Sequence, residues 1–99
     1  MTSVGNWVLA DFTACNLPEK VATGFGEAMS KLVGARYTPL LYAASQIVNG
    51  TNHMIICEAV PMTVTPEPRL VAVYIHEALL AYGGDFRLLS VKPIEVGAF

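Results

Sequence analysis

Four side chains in this 99-residue chain are of the types that most often carry nucleophilic or metal chemistry: Cys15, Cys57, His53 and His76. A reactive thiolate needs an electropositive neighbourhood, and neither cysteine has a Lys or Arg within four positions. Free cysteine behaves mostly as a small buried hydrophobe, so both are expected as free thiols. A structural zinc site wants four ligands at short spacing, which two distant cysteines do not provide. His53 and His76 stand without a carboxylate or cysteine at a recognisable catalytic spacing and read as strand residues. The expectation is no enzyme, no metal and no cofactor.

Recognition chemistry is more promising than catalysis. Gln46-Ile47-Val48-Asn49-Gly50-Thr51-Asn52 lies between two long strand-like runs, and Asn-Gly is the dipeptide that best satisfies the positive φ angles of a two-residue type I′ hairpin turn. Gly50 supplies left-handed geometry, and Gln46 carries an amide able to donate and accept. Asn49-Gly50-Thr51 also matches a glycosylation acceptor, but the chain begins without the basic n-region of a secretory signal.

The elements that must position this segment follow from pattern. Asn16-Leu-Pro-Glu19 reads as an N-cap with a capping box and Pro18 in the first turn. Val21, Phe25, Ala28, Met29 and Leu32 then form one apolar stripe at helical period, with Gly34 as the stop. A helix is expected over about 17–33. Gly24 and Gly26 within it are each unfavourable by about 1 kcal/mol relative to Ala, which close approach to a sheet would offset. Strands are expected at 37–48, 51–60, 70–77 and 86–91, with turn signals at Thr65-Pro-Glu-Pro-Arg69 and Ala81-Tyr-Gly-Gly-Asp85. The ends, 7–12 and 94–99, could add an edge strand. One helix followed by a meander of four to five antiparallel strands makes an α+β fold in a single domain, residues 1–99.

Composition narrows the partners. Hydrophobic residues make 54% and charged residues only 14% of the chain, against about 25% charged in an ordinary domain. The six Lys and Arg are scattered and cannot form the basic stripe that nucleic acid requires. No apolar run approaches the roughly 20 residues of a membrane span. A cytoplasmic location is expected.

On the residues Gln46, Val48 and Gly50, followed by Thr51-Asn52, the chain resembles the cystatins, inhibitors of papain-like cysteine proteases that carry Gln-x-Val-x-Gly at a hairpin tip. The order of helix, motif-bearing hairpin and further strands is similar over roughly residues 5–99, nearest to the stefin branch. The resemblance implies a wedge of three elements that occludes a protease cleft: the N-terminal segment near Gly5, the tip at Gln46, Ile47, Val48, Asn49 and Gly50, and a second tip at Tyr82 and Gly83. That second loop departs from the family, because Leu80-Ala-Tyr-Gly-Gly-Asp85 stands where Pro-Trp or Leu-Pro-Gly is usual.

The alternative is a non-inhibitory module that self-associates through its sheet, as a homodimer or by exchange of hairpin halves. Met54 and Ile56 alternate with Ile55 and Cys57, so one apolar pair must face away from the helix. Those positions, with the run Leu70 to Ile75, are expected at a subunit contact or beneath the N-terminal strand.

Overall fold

The computed structural model describes residues 3–4, 7–10 and 17–95. Asn16 and Cys15 lie outside the described residues, as does Gly5. Six strands form one antiparallel sheet in simple meander order: β1 (Ser3–Val4), β2 (Trp7–Leu9), β3 (Ala35–Val48), β4 (Gly50–Pro61), β5 (Arg69–Glu77) and β6 (Phe86–Pro93). A single helix, α1 (Glu19–Met29), packs on one face against β5 and β6. This is the α+β class expected, with β2 to β6 as its five strands and a two-residue β1 added at the edge. It is consistent with a cystatin-like fold. No helix among the described residues is long and apolar enough to cross a membrane.

The helix is shorter than its pattern at both ends. Its first residue is Glu19, and Pro18 occupies the cap position with no side-chain cap bond, so Glu19 cannot close the capping box from the third helical position. Instead Ala22 N donates to Pro18 O at 2.9 Å, and Glu19 places an acid in the first turn, where the helix dipole favours it. At the other end Ser30 Oγ donates back to Glu27 O at 2.7 Å, a local bond that competes with continuation of the ladder. Leu32 therefore lies past the helix. Val21, Phe25, Ala28 and Met29 do face the sheet.

The core lies between that stripe and alternate residues of the strands: Ile55, Cys57 and Ala59 of β4, Val71, Val73 and Ile75 of β5, and Phe86, Leu88 and Val91 of β6. Cys57 is a fully buried free thiol, and burial pushes its pKa up to about 12, which keeps it protonated and inert. Two irregularities break the simple alternation expected in β3. Register shifts between Pro39 and Leu41 and between Tyr42 and Ala44 put Tyr42 opposite Ile55 on the core face and Ala44 opposite Met54 on the other. A bulge of this kind adds one residue and reverses the parity beyond it.

Only one of the two helical glycines meets the sheet. A Cβ on Gly24 would lie 2.4 Å from the ring of Phe86, whereas one on Gly26 would meet nothing within 4 Å. The outer face is covered in part by the N-terminal hairpin. Trp7 and Leu9 of β2 converge with Ala44, Met54 and Tyr74 around a small apolar recess, and the Trp7 ring meets Tyr74 edge-on at 5.8 Å. Met54 thus sits beside the N-terminal strand, and Val71, Ala72, Val73 and Ile75 are buried within the sheet.

A polar chain ties helix to sheet. Tyr42 of β3 and Glu77 of β5 both reach His53 of β4, at 2.7 Å to Nδ1 and 2.9 Å to Nε2, and Lys20 of α1 pairs with the second carboxylate oxygen of Glu77. With Glu77 ionised, Nε2–H donates to it and Nδ1 accepts from the Tyr42 hydroxyl. Burial, seconded by the charge of Glu77, raises the Tyr42 pKa and keeps its proton in place. Burial acts to raise Glu77 as well, but the hydrogen bonds and charges of Lys20 and His53 outweigh it and hold the carboxyl below its ordinary 4.5.

Two outcomes follow in stability measurements. Gly24→Ala should lower the melting temperature by forcing α1 off Phe86, while Gly26→Ala should raise stability by up to about 1 kcal/mol. A carboxyl with a depressed folded pKa stabilises above its unfolded pKa and loses that contribution as pH falls through the folded value. Denaturant titrations below pH 4.5 should therefore show a loss of stability that is smaller in Glu77→Gln, which starts less stable at neutral pH.

Candidate functional site

The β3–β4 hairpin ends at Asn49, the only residue between the two strands. Val48 pairs with Gly50 and Ile47 with Thr51, so the connection pivots on Asn49 and the expected two-residue type I′ turn is not formed. Gly50 instead serves a three-residue connection, in which a left-handed residue closes the loop. Its φ is 107°, and a Cβ there would lie 2.5 Å from Glu77 O and 2.9 Å from the His76 ring. Glycine is required twice over, by conformation and by space.

That close approach fixes the tip to the end of β5, from which the second turn departs. Ala78 N donates to Asp85 O at 2.9 Å, and between them Leu80–Tyr82 form one 3-10 turn. Amides of Tyr82, Gly83 and Gly84 return to Leu79 O and Leu80 O at 2.8–3.0 Å, with Gly83 and Gly84 at φ 100° and 68°. The expected tight turn at Gly83-Gly84 is therefore present, preceded by a helical turn that the sequence pattern does not announce.

The two turns stand at one end of the sheet and share a shallow depression lined by Gly50, Thr51, Glu77 and residues 78–81. Their apolar side chains project into solvent: Ile47 is 84% exposed, Leu80 83% and Tyr82 70%, with Val48 and Leu79 also exposed. The side chains of Ile47, Val48, Asn49 and Tyr82 are exposed, and Gly50 and Gly83 have positive φ. Leu79 and Leu80 lie outside the expected set. Their signal was available, since two leucines next to a Gly-Gly turn have no core to enter.

Gln46 is placed differently from its expected role. Asn52 Nδ2 donates to Gln46 Oε1 at 2.9 Å, and His76 Nδ1 lies 2.6 Å from Asn52 Oδ1. These three side chains, on β3, β4 and β5, brace the strands just below the tip on the face opposite α1. The Gln46 carbonyl is thereby committed within the sheet. Gly5, the third expected element, is outside the described residues, but its flanks pair as a hairpin, with Val4 opposite Trp7. The N-terminal segment folds back along the sheet edge rather than running on as an extended trunk.

His53 is not isolated: its carboxylate partner Glu77 stands 24 residues away in sequence and reaches it only through the β4–β5 pairing. The imidazole is 5% exposed and stacked against Phe86 at 6.0 Å, which leaves no room for a reactant. No group of three or more His, Cys, Asp or Glu able to hold a metal ion occurs among the described residues. What the end of the sheet offers is a group of exposed apolar side chains on two turns that flank a shallow depression lined in part by Lys20 and Glu77. Neither a protein-family profile, nor a curated protein, nor a solved structure matches this chain.

Gly50→Ala tests the geometry of the tip. Left-handed backbone at a non-glycine residue costs of order 1–3 kcal/mol before any clash is counted, so a loss of at least about 2 kcal/mol is expected. In a domain of this size that is roughly 8–16 °C in Tm, and a shift within a degree or two would contradict the packing described.

Proposed function

We propose that the chain is a reversible inhibitor of papain-like cysteine proteases, acting by occlusion with the β3–β4 tip and the β5–β6 turn. The observation that carries this reading is the placement of Ile47, Val48, Leu80 and Tyr82, all exposed, on two turns at one end of the sheet, the β5–β6 turn closed by backbone hydrogen bonds. Solvent exposure of several large apolar side chains in one place marks an interaction surface. Rigid presentation lowers the ordering cost of binding. Exposed apolar side chains projecting from two turns fit a cleft, and the cystatin-like segment Gln46 to Gly50 supplies the class of cleft.

In this mechanism Val48 and Ile47 make the apolar contact at the apex, Leu80 and Tyr82 contact the neighbouring stretch of the cleft, and neither turn offers a strained peptide to the protease thiol. Inhibition is then competitive and leaves the inhibitor uncut. The folded-back N-terminal hairpin makes the interface a two-element wedge, with Trp7 engaged on Tyr74 instead of in the cleft. A cytoplasmic setting belongs to the same proposal.

Titration of active papain tests the reading. Stoichiometric loss of activity, reversed on dilution, is expected. Val48→Asp combined with Leu80→Asp should weaken inhibition by at least about 30-fold, the equivalent of one interface hot spot of about 2 kcal/mol. Full papain activity at a large molar excess of the folded chain, or equal inhibition by the double variant, would overturn the proposal.

A further inference from the structure

Asn49 and Asn52 lie on the same hairpin and differ in every respect that governs the chemistry of a side-chain amide. Asn52 is half-buried within β4, its Nδ2 donates to Gln46, its Oδ1 meets His76, and the next residue is the buried His53. Asn49 is exposed, is the one residue between β3 and β4, and has no side-chain hydrogen-bond partner among the described residues. The next residue is Gly50, which has no side chain to stand between its backbone nitrogen and the Asn49 carboxamide. Packing against Glu77 O and His76 excludes every other residue from position 50, so the reactive dipeptide is built into the tip.

We propose that Asn49-Gly50 is a self-modification site at which the folded chain deamidates. The Gly50 amide nitrogen gives up its proton to solvent and attacks Asn49 Cγ. The new N–Cγ bond forms as the Cγ–Nδ2 bond breaks, and ammonia leaves with a proton from water. The resulting succinimide is opened by one water molecule, at Cγ to give Asp or at the backbone carbonyl to give isoaspartate. Water is the only co-reactant, and nothing is oxidised or reduced.

Either product places a carboxylate next to the exposed Ile47 and Val48 at the hairpin tip. Isoaspartate also adds a carbon to the main chain at the residue on which the hairpin register pivots. Resting on the inhibitor reading, this makes position 49 a one-way timer that weakens the wedge.

The full-length folded chain, held at body temperature and mildly alkaline pH, provides the test by peptide mass spectrometry with enzymatic methyl labelling of isoaspartate. Conversion at Asn49 should exceed that at Asn52 by more than about tenfold, a barrier difference of about 1.4 kcal/mol. Equal rates, or conversion at Asn49 only after denaturation, would overturn the modification. Asn49→Asp and the aged chain should each inhibit papain about tenfold or more weakly than the fresh chain. Undiminished inhibition by both would overturn the timer role. Failure of the fresh chain to inhibit papain at all would instead count against the inhibitor reading, because the mass readout does not depend on it.

Discussion

Glu77 is the residue on which the organisation of this molecule depends. Its carboxylate takes Lys20 from the helix and His53 from the neighbouring strand, while its backbone carbonyl sits over Gly50 at the hairpin tip. One residue at the end of β5 thus joins the start of α1, the first part of β4 and the apex of the β3–β4 connection. The Lys20 side chain is 60% exposed, so that ion pair taken alone is worth little. Its value lies in compensating the carboxylate that His53, nearly buried, must have as an acceptor. An unpaired polar group in that position would cost its full desolvation, and each member of the chain is satisfied by the next.

The end of the sheet is braced on both faces by this means. Tyr42, His53 and Glu77 span β3 to β5 on the helix side, and Gln46, Asn52 and His76 span the same strands on the other. On β4 and β5 the two sets are adjacent residues, as alternation across a sheet dictates, and on β3 the bulge between Tyr42 and Ala44 puts Tyr42 and Gln46 on opposite faces. Hairpin tips ordinarily fray, because their last pairs have neighbours on one side only. Here the last pairs are held by side chains that bond one another across three strands, and the apolar residues beyond them gain a fixed base.

How much of this is legible in the chain depends on the range of the interaction that decides it. Apolar spacing placed Val21, Phe25, Ala28 and Met29 correctly, because helix period is local. The helix ends were misjudged for an equally local reason that pattern does not weigh: Ser30 turns its hydroxyl back on Glu27, and Pro18 comes too late for the cap at Asn16 to serve Glu19. The expected strands fall within the observed ones to within two residues, yet the bulges at Leu40 and Ala43 reverse sides within β3; Pro39 is a signal for the first, and no residue type signals the second. His53 looked solitary because Glu77 is distant along the chain and adjacent only across the sheet. The same holds for Gly50, whose need to be glycine was read from turn chemistry alone and is set equally by β5.

The shortage of charge finds its explanation in where the surplus apolar residues go. Eleven are buried among the described residues, and part of the outer face takes Trp7 and Leu9 as a lid over Met54 and Tyr74, which reduces the surface available for self-association. The strongly exposed ones collect at the two ends of the long hairpin: Ile47, Val48, Leu79, Leu80 and Tyr82 at the tip, and Val33, Met62 and Val64 at the other. At the far end the exposed groups sit on loops joined by a single backbone bond from Met62 N to Gly34 O at 2.8 Å. At the tip they sit on two turns locked to each other through Glu77 and Gly50. Equal exposure therefore does not mean equal capacity to bind, since only the tip end presents its apolar side chains already ordered, and an interface gains most where ordering need not be supplied on contact.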